Sequence, residues 1–466
     1  MAGVGFRLTK YFTEKDFYKN VKGSIYSIII SSGPWLLSVI SIAILGVFAK
    51  RSLNNHDLFV FKSIISYSFA FSLIFFGLIE LPLTRYLADK LFVNDMSSFR
   101  NVYLIIGAIF FVVGGFLSFF FYSFFDWGID LVLLCVSLLV SILLTWHSMI
   151  FLSAAKHFHQ IVLSFLVGTI SSIVFGLVLG FYFGLIGYVA GFTLGQIIQV
   201  VLLARNLFYE FPGYDYVVYD VFDYFVRFRM MVLVGFFYYL GIWVDKFLFW
   251  FSDVGTHVEG LFYTSQNYDT AVFLSYLSIV PSLAVFLVNV ETSFYIKYSY
   301  FFRAIQKKND LKFLESAGND IILSFQNAFA SLIRIQAFIS ILLWVFASEV
   351  IEYLLLPQTL TPIFRYGLVG SFFQVLFLVL NIALLYFKEV RSVFLNYFFF
   401  FLTNGLFTLL TLKFSPDLKY YGFGYMLSAA LTFFISFYYL NKTLKHLNYI
   451  TFMRQPVNQA IEAKLG

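Results

Sequence analysis

Only one cysteine, Cys135, occurs in the chain. A lone thiol excludes an internal disulfide and any multi-cysteine metal site, and it leaves the redox compartment open. Charge is also scarce. Asp, Glu, Lys and Arg make up 12% of residues against 61% hydrophobic, and mean hydropathy is +0.85, a balance outside the soluble range. Enzyme signatures are missing. No glycine-rich run ends in Gly-Lys-Ser or Gly-Lys-Thr, so no P-loop cradles ATP phosphates. No Asp-x-Asp stands in a polar segment to hold a nucleotide sugar's divalent metal. The six histidines are scattered, with no His-Glu-x-x-His among them. These absences argue against an enzyme and against a resident cofactor or metal. The energy for any work must come from an ion gradient, a partner, or the substrate's own synthesis.

What fills the chain instead is apolar sequence in spans. Twelve stretches lie near 24–48, 58–84, 101–124, 129–154, 160–182, 185–204, 228–250, 269–290, 324–347, 363–387, 391–412 and 420–441. Each is roughly 20 residues or longer, the length that spans a bilayer as a helix. A helix rising about 1.5 Å per residue crosses a hydrocarbon core of roughly 30 Å in that length. The expected fold is therefore an all-α polytopic membrane protein of about twelve transmembrane helices, in contact with lipid throughout. Aromatic content is 22%, led by 65 Phe; codon bias explains it more simply than a sugar-stacking specialisation.

The basic residues sort between the spans. With the N-terminus inside, 23 of the 31 Lys and Arg fall in cytoplasmic segments, from Arg7 through Arg85, Arg100, Arg227 and Lys308 to Lys464. Only Lys50, Arg51, Lys413 and Lys419 fall on the other side, and Lys62, Lys246, Arg334 and Arg365 lie within spans. This split satisfies the positive-inside rule and places both termini in the cytoplasm of an inner-membrane protein. It also removes the +6 net charge as a sign of nucleic-acid binding. The segment ahead of the first span is basic, and that span is too long for a signal h-region, so no cleaved signal is expected.

Two polar breaks stand out, both on the cytoplasmic side: 205–227 and 291–323. The first divides the chain into 1–204 and 228–466, six spans each, the outline of an alternating-access carrier made of two bundles. Asp215, Asp220 and Asp223 in that break read as a solvated acidic linker. The second break carries Lys297, Arg303, Lys307, Lys308 and Lys312, a solvated hairpin or a docking surface. A faint repeat links Gly33-Pro34-Trp35 in the first span with Gly241-Ile242-Trp243 in the seventh.

Ionisable residues inside spans are costly unless paired or wetted, so they mark functional candidates. Arg334 lies near mid-span in the ninth stretch, and Asp245 and Lys246 lie in the seventh. Adjacent helix positions point about 100° apart, so Asp245 and Lys246 are not expected to face each other, and Arg334 becomes the expected partner of Asp245. Such a pair serves either helix packing or transport. Glu80, ahead of Pro82, and Glu291 close spans on the inner side. Pro34 and Pro281 each delete a helical N–H bond within a span, and broken helices often border a carrier's cavity. Trp35, Trp243 and the small Ser31-Ser32-Gly33 run belong to the same candidate path.

Several stretches carry a family resemblance: Met1-Ala2-Gly3-Val4-Gly5-Phe6, Ile30-Ser31-Ser32-Gly33-Pro34-Trp35 and Arg85-Tyr86-Leu87-Ala88-Asp89. Leu240-Gly241-Ile242-Trp243-Val244-Asp245-Lys246-Phe247 and Val280-Pro281-Ser282-Leu283-Ala284-Val285-Phe286-Leu287 join them. In this order along nearly the whole chain, they resemble the PelG-type exopolysaccharide exporters, within the MATE and polysaccharide flippase superfamily. The resemblance implies a MATE-like, flippase-like fold with a cavity between two six-helix bundles. It also implies a growing polysaccharide of N-acetylgalactosamine-type sugars as substrate, with a cytoplasmic glycosyltransferase and small membrane helper proteins as partners. It carries over no transport residue. Three other readings are a cation-coupled MATE-like antiporter of small molecules, a membrane-embedded synthase, and a non-transporting scaffold of a synthase complex.

Overall fold

In the computed structural model, the described residues are 37–447, except 94, 156–157, 212–218, 290–293 and 415–416. The first helix, α1, is described over 37–52. Next come α2 (Asn55–Phe92), α3 (Phe99–Tyr122) and α4 (Ile129–Ala154). The continuous helical run Phe158–Glu210 holds α5 and α6, which meet at Gly184. A short helix α7 (Asp220–Arg227) leads into α8 (Arg229–Trp250) and a hairpin of β1 (Thr256–Glu259) and β2 (Phe262–Thr264). The remainder is α9 (Gln266–Leu277), α10 (Val280–Asn289), α11 (Tyr295–Gln306), α12 (Leu311–Val345), α13 (Ala347–Tyr353), α14 (Thr361–Tyr386), α15 (Val390–Phe414) and α16 (Phe423–Lys445).

Among the described residues, ten helical stretches are long and apolar enough to cross a membrane. One of them folds back on itself at Gly184, giving two spans, and the first of the twelve expected spans is described only from residue 37. The architecture is the expected polytopic helical one. Gly184 has φ 58° and ψ −132°, a backbone state essentially closed to residues bearing a Cβ. It reverses the chain within one residue, at the position where the sequence leaves a gap between spans. Beyond the turn the helices close on their small faces, with Gly176 against Gly191 and Ser172 against Gly195.

Local signals set the ends. Asn54 caps α2, its side chain accepting from the Asp57 amide at 2.7 Å, which satisfies one of the helix's free N–H groups. Pro362 stands in the first turn of α14, where its missing N–H costs nothing. Pro281 acts likewise. The eighth expected span breaks after Leu277 and restarts at Val280, which puts the proline in a first turn. A π-helical turn, Phe110–Gly114, interrupts α3, a local widening that inserts one extra residue.

One set of buried side chains joins α2, α3, α4 and α6, and another joins α8, α12, α14, α15 and α16. Large apolar side chains facing outward, such as Phe111, Phe181, Phe338 and Phe434, make the lipid-contacting surface. The two sets meet where α2 runs beside α8. At Gly77 and Gly235 the backbones nearly touch: a Cβ added at Gly77 would lie 2.7 Å from the Gly235 carbonyl oxygen. Small residues permit such an approach between membrane helices.

The sequence suggests a solvated linker around Asp220, and there the structure differs. The Asp220 carboxylate pairs with Lys90 Nζ at 2.9 Å and accepts from the Tyr86 hydroxyl at 2.9 Å, while Val221 is fully buried. Helix α7 is docked on the end of α2. Asp215 lies outside the described residues.

Candidate functional site

Two features stand out. The first is a buried charged cluster on α8 and α9. Asp245 is fully enclosed and Lys246 is nearly so. Lys246 Nζ reaches back to both Asp245 oxygens at 3.4 Å, and donates to the Ile242 carbonyl at 2.9 Å and the Tyr276 hydroxyl at 3.3 Å. It also sits 5.1 Å from the Tyr276 ring centroid and 5.8 Å from that of Trp243, within cation–π range. Tyr268 gives Asp245 a hydroxyl donor at 2.5 Å. Asp269 accepts from Trp250 Nε1 at 2.8 Å and Thr264 Oγ1 at 3.4 Å, while its other oxygen has no partner among the described residues.

This geometry corrects the expected pairing. Asp245 and Lys246 do neutralise each other, because a four-carbon lysine stem bends across the angle that separates adjacent Cβ atoms. Arg334 takes no part. It is exposed, and its guanidinium turns onto its own helix, to the Ala330 carbonyl at 3.2 Å and Ser331 Oγ at 3.3 Å. Phe338, Ile341 and Val345 continue the same exposed face, and Gln326 and Asn327 stand exposed on the other side of it. Arg334 thus snorkels towards the polar half of α12.

Glu80 is half-buried in the seam, where the Tyr239 hydroxyl donates to it at 3.0 Å, one turn from Gly77 and Gly235. Trp243 is half-buried near Phe247 and Trp250, and its indole N–H has no partner among the described residues. Pro281 is half-buried, at the break between α9 and α10. Pro34, Trp35 and Glu291 lie outside the described residues, as does the Gly33 half of the faint repeat.

The second feature is absent from the expectations drawn from sequence. The β1–β2 hairpin, paired in the register Thr256 to Thr264 and His257 to Tyr263, reaches across to α2 and to the connection between α3 and α4. Phe262 at its turn is fully buried, with ring centroids 4.6 Å from Phe125, 4.8 Å from Tyr67 and 5.8 Å from Trp127. The Tyr67 hydroxyl donates to the Tyr263 carbonyl at 3.0 Å and accepts from the Tyr263 amide at 3.1 Å. Glu259 accepts from Trp127 Nε1 at 2.8 Å and lies 3.3 Å from His56 Nε2. Opposite, at the far end of α2, the linker helix makes the Asp220 contacts. The seam is therefore held at a hairpin end and at a linker end, with Glu80 between them. The sequence does carry a signal for the hairpin. Thr256 to Thr264 is β-branched and aromatic around Gly260, whose φ is 54°, and a glycine at positive φ between such residues is a hairpin mark.

Chemically, this arrangement offers carboxylates, tyrosines and aromatic faces along an interhelical seam. Among the described residues no group of three His, Cys, Asp or Glu is placed to hold a metal ion. The fold is similar to that of solved MATE-type transporters of the MOP superfamily. An outward-facing MATE-family multidrug resistance transporter superposes with a TM-score of 0.66 at 13% identity, over 91% of this chain and 96% of that one. An inward-facing MATE-family transporter gives 0.62 at 12% identity, over 91% and 99%. A Pyrococcus furiosus MOP transporter, described as having a binding pocket of reversed polarity, gives 0.64 at 13% identity, over 91% and 96%. No curated protein matches significantly. Residues 1–452 match the PelG exopolysaccharide exporter (EPS-E) family, and the chain belongs to that family.

Proposed function

We propose that this chain exports a Pel-like polymer of N-acetylgalactosamine-type amino sugars across the cytoplasmic membrane while a cytoplasmic glycosyltransferase, aided by small membrane proteins, extends it. The family match over nearly the whole chain carries the reading. The path follows the seam between a bundle of residues 1–204 and one of residues 228–466, joined by the linker 205–227. Glu80 is the acid best placed to meet a sugar amine, since it keeps partial exposure whereas Asp245 has none. Trp243 is half-buried and offers part of its ring face to a sugar, while its indole N–H is enclosed.

A strain lacking this gene should release no polymer, while its membrane extracts still polymerise sugar. Glu80→Gln should lower secreted polymer severalfold at unchanged protein level and unchanged synthesis. Normal secretion by the null strain, or polymerisation of sugar by the pure protein unaided, would refute the export reading. The fold neighbours favour one rival, a cation-coupled antiporter of small molecules, which requires drug efflux and not polymer release to fail in the null strain.

The same reading sets the orientation. Lys90, Arg85, Arg100 and Arg227 gather at the linker end, which we assign to the cytoplasm, leaving the hairpin outside. With Cys135 replaced, a cysteine at His257 should react with an impermeant thiol reagent in intact cells, and one at Lys308 should not. The reverse pattern would invert the topology.

A further inference from the structure

Arg334 stands at the middle of the ninth apolar stretch, 324–347, and it faces away from the protein. Helix α12 packs on α10, α11 and α14 through its other side, where Phe325, Leu332 and Gln336 are buried. Its outward side is one stripe: Leu323, Asn327, Ala330, Arg334, Ala337 and Ile341. Ala337 is partly exposed and the rest are exposed. Their spacing, alternately four and three residues, keeps all six on a single helix face.

The chemistry of this stripe sets it apart from other lipid-facing helices. Helix α3 turns Leu104, Phe111, Val112 and Phe116 outward, and α5 turns Leu166, Ile170, Val174 and Phe181 outward. Those bulky apolar side chains suit acyl chains. The α12 stripe instead sets a guanidinium between two alanines, with the Asn327 amide two turns away. Small residues let a second backbone approach, and polar side chains within a span hold helices together.

The charge on this face is unanswered. Arg334 donates from Nε to the Ala330 carbonyl and from Nη2 to Ser331 Oγ, both neutral, and Nη1 has no partner among the described residues. That reach carries the guanidinium one turn out of the bilayer centre, to the level of Ala330, short of Gln326 and Asn327. A cation at such depth is costly until a carboxylate joins it. The mid-span carboxylates of this chain are already committed, Glu80 to Tyr239 in the seam and Asp245 to Lys246. A second copy docked two-fold on α12 would set Arg334 against its own counterpart, and like charges repel.

We propose that the Arg334 face of α12 binds a transmembrane helix of a different polypeptide, one that carries Asp or Glu at the depth of Arg334. Charge complementarity selects the acid, since a carboxylate matches the guanidinium fork with two parallel hydrogen bonds. Ala330 and Ala337 select a close approach on either side of it. The inference rests on the placement of Arg334 and is independent of what the seam conducts.

The test puts a photoreactive residue at Ala337 of the full chain in its own cells. Irradiation should give one adduct with another polypeptide, mapped by mass spectrometry to a transmembrane helix bearing Asp or Glu. Arg334→Leu should lower the adduct roughly tenfold, near the upper end for one polar contact between membrane helices. The purified chain's melting temperature should not change. Arg334→Glu should lower the adduct likewise, and exchange of the partner's acid for Arg should then restore it. The same photoreactive residue at Val112, on the α3 face, should label lipid alone. Adducts at Ala337 with lipid only, or with a second copy of this chain, would overturn the proposal. So would a partner helix without a carboxylate, a yield that Arg334→Leu leaves unchanged, or equal capture of the same polypeptide from Val112.

Discussion

Lys246→Met should cost the folded protein about 3–5 kcal/mol, the usual penalty for removing one partner of a buried ion pair. Asp245 is wholly enclosed, and its carboxylate is satisfied by the Lys246 ammonium and the Tyr268 hydroxyl. Without the ammonium, one hydroxyl donor remains for a charge that cannot reach water. Asp245→Asn/Lys246→Met should recover most of the loss, because exchanging both charges for neutral groups of similar volume is often neutral or better. Arg334→Ala supplies the contrast. Its guanidinium holds only its own exposed helix. The change should therefore stay within about 0.5 kcal/mol, as for other surface substitutions. Thermal unfolding of the detergent-solubilised variants measures all three, and a Lys246→Met protein as stable as the parent would dismiss the pair as a structural element.

Phe262→Ala should have an effect of similar size, at the hairpin end of the seam. Truncating a fully buried phenylalanine costs about 3–5 kcal/mol, and here the lost contacts are with Tyr67 of α2 and with Phe125 and Trp127 between α3 and α4. The chain contains its own probe. Cys135 is fully buried in the same hydrophobic cluster as Tyr122, Phe125 and Phe262. It should resist alkylation in the parent and react readily once Phe262 is truncated. Unchanged protection of Cys135 in a monodisperse Phe262→Ala protein would show that the hairpin does not hold this end closed.

The spans are legible in the sequence because a bilayer imposes a length on every helix that crosses it. Even the α5–α6 reversal is legible, since the gap between 182 and 185 falls on Gly184. Depth flags Asp245, Lys246 and Glu80 as charged residues needing an explanation. It does not say which groups answer them. Helical spacing fixes where a Cβ points, but Lys246 travels four carbons beyond its Cβ, and Arg334 uses the same kind of length to leave the membrane interior. Tyr268 and Asp269 are easily overlooked because they lie at the edge of an apolar stretch, where polar residues attract no notice. The hairpin escapes for a related reason. A short connection between two long spans looks like a loop until its partners Tyr67, Phe125 and Trp127 arrive from far earlier in the chain.

The turn at Gly184 also bears on how the molecule is made. Most neighbouring spans are separated by a polar segment whose charge the insertion machinery reads as each helix emerges. Between α5 and α6 there is one glycine and no charge, so the only flanking charge that orients α6 comes after it, from Arg205 onward. The two helices are therefore expected to enter the bilayer together as a hairpin. A side chain at residue 184 would favour one long rod over two short ones. Every span from α8 onward would then begin from the wrong side, so the orientation of half the chain hangs on the absence of a single β-carbon.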